Sequence, residues 1–168
     1  MTQPPQDPMA TFAPDLFAGR TALVTGGGRG IGREIALAFA GLGANLVIAA
    51  RGEDNLARTK ADIEALGRQC LAVPVNIREP DSVTQMVSAS LAEFGAIDFL
   101  INNAGSEGPD LIRTRDWSRQ DAYLRLMMTS VAAMCHEFMP AMIERGYGRV
   151  LNVASVAGRM TVGGDYSY

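Results

Sequence analysis

The chain of 168 residues contains a single lysine, Lys60, a single histidine, His136, and only two cysteines, Cys70 and Cys135. One histidine and two widely spaced cysteines leave no metal-ligand pattern, so no metal site is expected. Both cysteines sit in apolar settings, one strand-like and one helix-like. They read as small core residues of a reducing compartment rather than as a disulfide. A basic excess is also missing: the net charge is −3 and the pI is near 5.1. Nucleic acid and anionic membrane are therefore not expected as partners. No basic, apolar leader opens the chain and no stretch approaches the length of a membrane span, so the expected location is cytoplasmic. What is present is a globular composition, 48% hydrophobic and 20% charged, with the length of one domain able to bury a core.

Residues 1–18 carry Pro4, Pro5, Pro8 and Pro14 with little periodicity, which suggests a flexible tail, with the ordered domain running from Gly19 to Tyr168. Within that domain short apolar runs alternate with segments of helical spacing. Strands are expected at 21–25, 45–50, 70–75, 97–101 and 149–154. Helices are expected from Ile31 to Leu42, from Glu53 to Leu66, from Pro80 to Phe94, and from about Arg119 to Arg145. Pro74 inside the third strand points to a sheet edge there. Strand–helix alternation needs crossover connections, hence a doubly wound α/β domain with a parallel sheet.

Between the first strand and the first helix lies Thr25-Gly26-Gly27-Gly28-Arg29-Gly30-Ile31-Gly32. Glycines there permit a tight turn and close backbone approach, and the helix N-terminus offers unpaired N–H groups to a pyrophosphate. The spacing Thr-Gly-x-x-x-Gly-x-Gly, the run Asn102-Asn103-Ala104-Gly105 after the fourth strand, and Ser155 followed thirteen residues later by Tyr168 occur in one order. Together they resemble the short-chain dehydrogenase/reductase family, and the resemblance covers Gly19 to Tyr168. It implies a Rossmann-type doubly wound parallel sheet, incomplete at the C-terminal end, and a nicotinamide dinucleotide cofactor. The residues it places against that cofactor are Gly26, Gly28, Arg29, Gly30, Ile31, Gly32, Arg51, Asn76, Ile77, Asn103, Ala104 and Gly105.

An acidic residue ending the second strand would bind ribose hydroxyls and repel a 2′-phosphate. That position is Ala50, followed by Arg51, and Arg29 is a second guanidinium able to pair with phosphate oxygens. NADP(H) is expected rather than NAD(H), unless Glu53 or Asp54 reads the ribose. Asn76 stands where the family usually has an aspartate near the adenine, and its carbonyl could still accept a bond.

The resemblance assigns Ser155 to hold the substrate oxygen and Tyr168 to exchange its proton, with Tyr166 a competitor. A phenol, with a pKa of about 10 when unperturbed, needs a nearby cation for that task. The family's lysine would fall four residues past Tyr168, beyond the last residue of this sequence. A relay asparagine expected thirteen residues before Pro140 is replaced by Met127.

The expected activity is hydride transfer between NADP(H) and a small carbonyl or alcohol substrate, by an intact protein that forms a homodimer or homotetramer. The alternatives are a non-catalytic NADP(H)-binding module or inactive fragment, and isomerase or dehydratase chemistry on the same scaffold. The sequence reads as an incomplete one, whose 168 residues alone should be poorly soluble and without turnover, with the fifth strand an exposed apolar edge.

Overall fold

The structure is a computed structural model and describes residues 11–106 and 117–159. Five parallel strands form one sheet in the order β3-β2-β1-β4-β5. They are β1 (Thr21–Thr25), β2 (Asn45–Ala50), β3 (Cys70–Pro74), β4 (Phe99–Asn102) and β5 (Arg149–Asn152). Helices α1 (Gly30–Gly41), α2 (Glu53–Ala65) and α3 (Pro80–Phe94) supply three of the crossovers. The fourth is α4 (Trp117–Leu124), a π-helical turn (Arg125–Thr129) and α5 (Ser130–Glu144) in succession.

The apolar runs become central strands because both of their faces are covered. All five residues of β1 are buried, and its alternate side chains enter two different cores. Ala22 and Val24 join Leu46, Ile48, Ala36, Leu56 and Ile63 on the α1/α2 side. Leu23 joins Val47, Leu100, Met86, Met134 and Phe138 on the α3/α5 side. A continuous hydrophobic strand sandwiched between helical layers is what a parallel sheet requires. Cys70 belongs to the first core, and burial pushes its thiol up to about 12, so it stays protonated and unreactive near neutral pH.

Edge positions follow from the same logic. Pro74 ends β3, the outermost strand on one side, where its missing N–H is tolerated. At the other edge, all four residues of β5 are exposed, including Val150 and Leu151.

Two expectations are corrected. The packed domain begins before Gly19: Phe17 stacks on Phe39 at 4.9 Å and meets Phe99 at 4.8 Å, while its N–H donates to the Leu42 carbonyl. Aromatic burial outweighs the local proline content there. Second, the continuous helical stretch Ser118–Glu144 is long and apolar enough, by length and composition, to cross a membrane. Its Met134, Phe138 and Met142 instead lie in the sheet's core, and their four-residue spacing supplies the face that packs there.

Replacing Phe17 with alanine should lower stability by about 2–3 kcal/mol through lost aromatic contact and a residual cavity. Urea unfolding checks this, and a midpoint equal to the parent's would show that the 11–18 segment adds nothing to the domain.

Candidate functional site

The strand order reverses direction about β1, since the chain moves outward through β2 and β3 and then returns to place β4 on the other side. Crossovers diverge at such a point and leave a crevice beyond the strand C-termini. A cavity of about 630 Å³ lies here, between the ends of β1, β2, β3 and β4.

The glycine turn forms one wall. Gly26 and Gly30 have φ of 72° and 55°, a left-handed region that side-chain-bearing residues seldom adopt. A Cβ on Gly32 would collide with the Gly26 carbonyl oxygen and with Asn103 Nδ2, so this glycine permits turn, helix and neighbouring loop to close up. Helix α1 then begins with no side-chain cap and no acid in its first turn. Its leading N–H groups, at Gly30, Ile31 and Gly32, belong to residues lining the cavity, which suits an anion.

One hydroxyl joins this turn to the opposite wall. Thr25 Oγ donates to the Ile101 carbonyl at 3.3 Å and accepts from the N–H groups of Asn103 and Ala104, each at 3.0 Å. Asn103 Nδ2 returns a bond to the Thr25 carbonyl at 2.9 Å. The ends of β4 and β5 are tied by Asn102 Nδ2 donating to Asn152 Oδ1 at 2.9 Å.

All twelve residues expected against the dinucleotide line this cavity: Gly26, Gly28, Arg29, Gly30, Ile31, Gly32, Arg51, Asn76, Ile77, Asn103, Ala104 and Gly105. Sequence reasoning missed Asn55, Arg78 and Leu126 on the same wall. Asn55 lies one helical turn after Arg51, and Arg78 directly follows Asn76-Ile77, so both were within reach of a periodicity argument. Ser155 sits past the end of β5, half-buried and outside the cavity wall, at the start of a 3₁₀ turn over Val156–Gly158. Tyr168 and Tyr166 lie outside the described residues. Met127 is half-buried, and its sulfur lies 3.5 Å from where a Cβ on Gly105 would stand, so the residue replacing the expected asparagine does face the site.

Electrostatically the cavity departs from the acidic chain around it. Arg29, Arg51 and Arg78 line it, and no carboxylate does among the described residues. Among the described residues none of these three guanidinium groups is in an ion pair, although other arginines are, such as Arg33 with Asp62 at 2.7 Å. Arg78 Nε is buried without a hydrogen-bond partner. Glu53 and Asp54 stand in the first turn of α2, off the cavity wall, where they favour the helix dipole. Uncapped amides, permissive glycines and unpaired guanidinium groups together fit a dinucleotide with more than one phosphate.

A doubly wound parallel sheet with a glycine turn at its reversal point defines a nucleotide-binding α/β protein. The short chain dehydrogenase family model matches residues 20–168, and the chain belongs to that family. An uncharacterized oxidoreductase of Mycobacterium tuberculosis is 34% identical over 151 residues, covering 89% of this chain and 57% of the relative. The 3-oxoacyl-acyl-carrier-protein reductase FabG of Escherichia coli is 33% identical over 152 residues, covering 90% of this chain and 61% of the relative. The chain thus spans about three-fifths of the length of these curated relatives.

Among solved structures, a metagenomic short-chain oxidoreductase in complex with NADP superposes with a TM-score of 0.84 at 31% identity, covering 92% of this chain and 70% of that one. An NAD+-bound xylitol dehydrogenase superposes with a TM-score of 0.84 at 28% identity, covering 90% and 59% respectively.

Thr25→Val keeps the shape of the side chain but leaves two N–H groups at the site without their acceptor. It should cost about 2–3 kcal/mol of stability and weaken dinucleotide binding. Denaturant midpoints measured beside a nucleotide titration check this; parent-like values in both would remove the hydroxyl from any structural role.

Proposed function

We propose that the protein is an oxidoreductase transferring hydride between NADP(H) and a small carbonyl or alcohol substrate in the cytoplasm. The observation that carries the cofactor preference is the pair Arg29 and Arg51: among the described residues neither is in an ion pair, and no carboxylate shares their cavity wall. The relatives support the reaction class, since both curated ones are named as an oxidoreductase or a reductase. They divide on the cofactor, one solved structure holding NADP and the other NAD+. The arginines favour NADP(H) by charge: a 2′-phosphate gains charge-assisted bonds there, whereas a plain ribose leaves both guanidinium groups unused.

When bound, the nicotinamide supplies or accepts the hydride. The chain's residues do the rest. Amides at the start of α1 take the diphosphate, and Arg29 and Arg51 take the third phosphate. Asn103, Ala104 and Gly105 set the height of the floor on the reacting side. The Ser155 hydroxyl donates a hydrogen bond to the substrate oxygen, and the Tyr168 hydroxyl passes it a proton as hydride reaches the carbon. Neither group holds a metal in this scheme, and the intact protein acts as a homodimer or homotetramer.

A second reading, a module that binds NADP(H) without turnover, draws its support from Met127. A thioether cannot donate a hydrogen bond or carry the proton that an asparagine-based relay would pass on. The two readings separate in one set of measurements.

Arg51→Ala and Arg29→Ala should each weaken NADPH binding by about tenfold while leaving NADH affinity near the parent's, read by nucleotide fluorescence titration. Equal losses for both nucleotides would remove the phosphate argument. Ser155→Ala and Tyr168→Phe should each lower kcat by about a hundredfold or more with NADPH affinity intact. An intact protein that binds NADPH but reduces no ketone, aldehyde or 3-oxoacyl thioester would favour the module instead.

A further inference from the structure

We propose that the cavity reads the purine of the dinucleotide through a hydrogen-bond donor, the Nδ2 amide of Asn76, and so accepts a 6-oxo purine as well as a 6-amino one. This rests on the NADP(H) reading and specifies its base subsite.

The lining residues fall on two sides of the glycine turn. Asn103 and Gly105 follow β4, the neighbour of the strand that Ser155 follows. Arg51, Asn76 and Arg78 follow β2 and β3 on the other side. A diphosphate held at the start of α1 divides a dinucleotide at its middle. With the redox half on the β4 side, toward Ser155, the purine half takes the β2–β3 side. There Ile77 flanks Asn76 and offers an apolar surface to a flat base.

The orientation of the Asn76 amide follows from its own loop. The Arg78 backbone N–H donates to Asn76 Oδ1 at 3.3 Å, and the Glu79 N–H donates to the Asn76 backbone carbonyl at 2.9 Å. Turning the amide over would set Nδ2–H against the Arg78 N–H, donor against donor. Oδ1 is thereby turned toward the loop, where it already accepts one bond, and the donor end of the amide is the one left without a partner. Nδ2 has no protein partner among the described residues. Both of its hydrogens remain for a ligand.

The polarity matters because purines differ at position 6. Adenine presents an amino donor there with ring-nitrogen acceptors beside it, whereas hypoxanthine presents a carbonyl acceptor. An aspartate at position 76 would keep the loop bond with one oxygen and aim a second acceptor at the base. That would select the amino group and oppose the carbonyl. An amide donor does the reverse, pairing with the hypoxanthine carbonyl or with an adenine ring nitrogen.

The test is the ratio of dissociation constants for reduced nicotinamide hypoxanthine dinucleotide phosphate and NADPH, by fluorescence titration of the parent and of Asn76→Asp. The added charge of the variant acts on both ligands alike and cancels in the ratio. The expected parent ratio lies within about threefold of one, and the variant should raise it by about tenfold against hypoxanthine, with Tm near the parent's. A parent that rejects hypoxanthine tenfold, or a ratio that the substitution does not move, overturns the donor assignment. Failure of the parent to bind either dinucleotide overturns the NADP(H) reading itself, a result distinct from an unmoved ratio.

Discussion

The site depends on the hydroxyl of Thr25. It stands at the end of the central strand, where the chain leaves the sheet to make the glycine turn, and it bonds to the end of β4 across the reversal point. Parallel strands fan apart beyond their last ladder bond because of sheet twist. A crevice whose walls come from two non-consecutive strands therefore needs a cross-brace. Thr25 provides it with one donor and two accepted bonds, and Gly32 allows it by carrying no Cβ between Gly26 and Asn103. The phosphate-facing amides and the Asn103–Gly105 floor are thus one rigid unit, although 78 residues separate Thr25 from Asn103.

Charge is distributed on a similar principle. A chain of net charge −3 places around one cavity three arginines without ion pairs among the described residues, and neutralises others on the surface with acids, as Arg33 and Arg68 are by Asp62 and Asp15. Arg29 and Arg51 are exposed and solvated, while the half-buried Arg78 keeps its Nε away from any partner among the described residues. The arrangement makes sense as affinity held ready for an anion, which supplies at binding the counter-charge that the fold withholds. Placing Glu53 and Asp54 in a helical first turn, off the wall, keeps that counter-charge from being met internally.

The sheet and its helices were legible because their signals are periodic: both-face burial in β1 and β2, four-residue steps in α5, and a proline at the outer edge of β3. The cavity residues were legible because a motif fixes spacing and spacing fixes geometry at a strand-to-helix turn. What escaped has no local signature. Phe17 is held by Phe39 and Phe99, distant contacts that outweigh the prolines around it. The orientation of the Asn76 amide depends on a loop bond that composition does not encode. The long helix expected from about Arg119 to Arg145 is present as one stretch over Ser118–Glu144, but the irregular turn at Arg125–Thr129 inside it has no local signature.

That irregular turn bears on how proton exchange is served. Over Arg125–Thr129 the backbone is π-helical, and the Ser130 N–H donates to the Arg125 carbonyl instead of the Leu126 carbonyl that α-geometry would use. The Leu126 carbonyl is taken instead by the Ser130 hydroxyl at 2.6 Å. An unwound turn beside an active site commonly leaves a carbonyl to hold water, but this one is closed off by its own serine. Leu126 lies on the cavity wall and Met127 lies over Gly105, so these two residues give the helix an apolar face toward the site. Under the proposed chemistry the proton must then reach Tyr168 without passing through this helix, by way of the ribose, the Ser155 side or bulk solvent. An apolar cover over the floor would also exclude water from the reacting carbon, strengthening the few polar contacts made there. The substitution of methionine for a relay asparagine is in this view a change of route, from a wet path through the helix to a dry wall beside it.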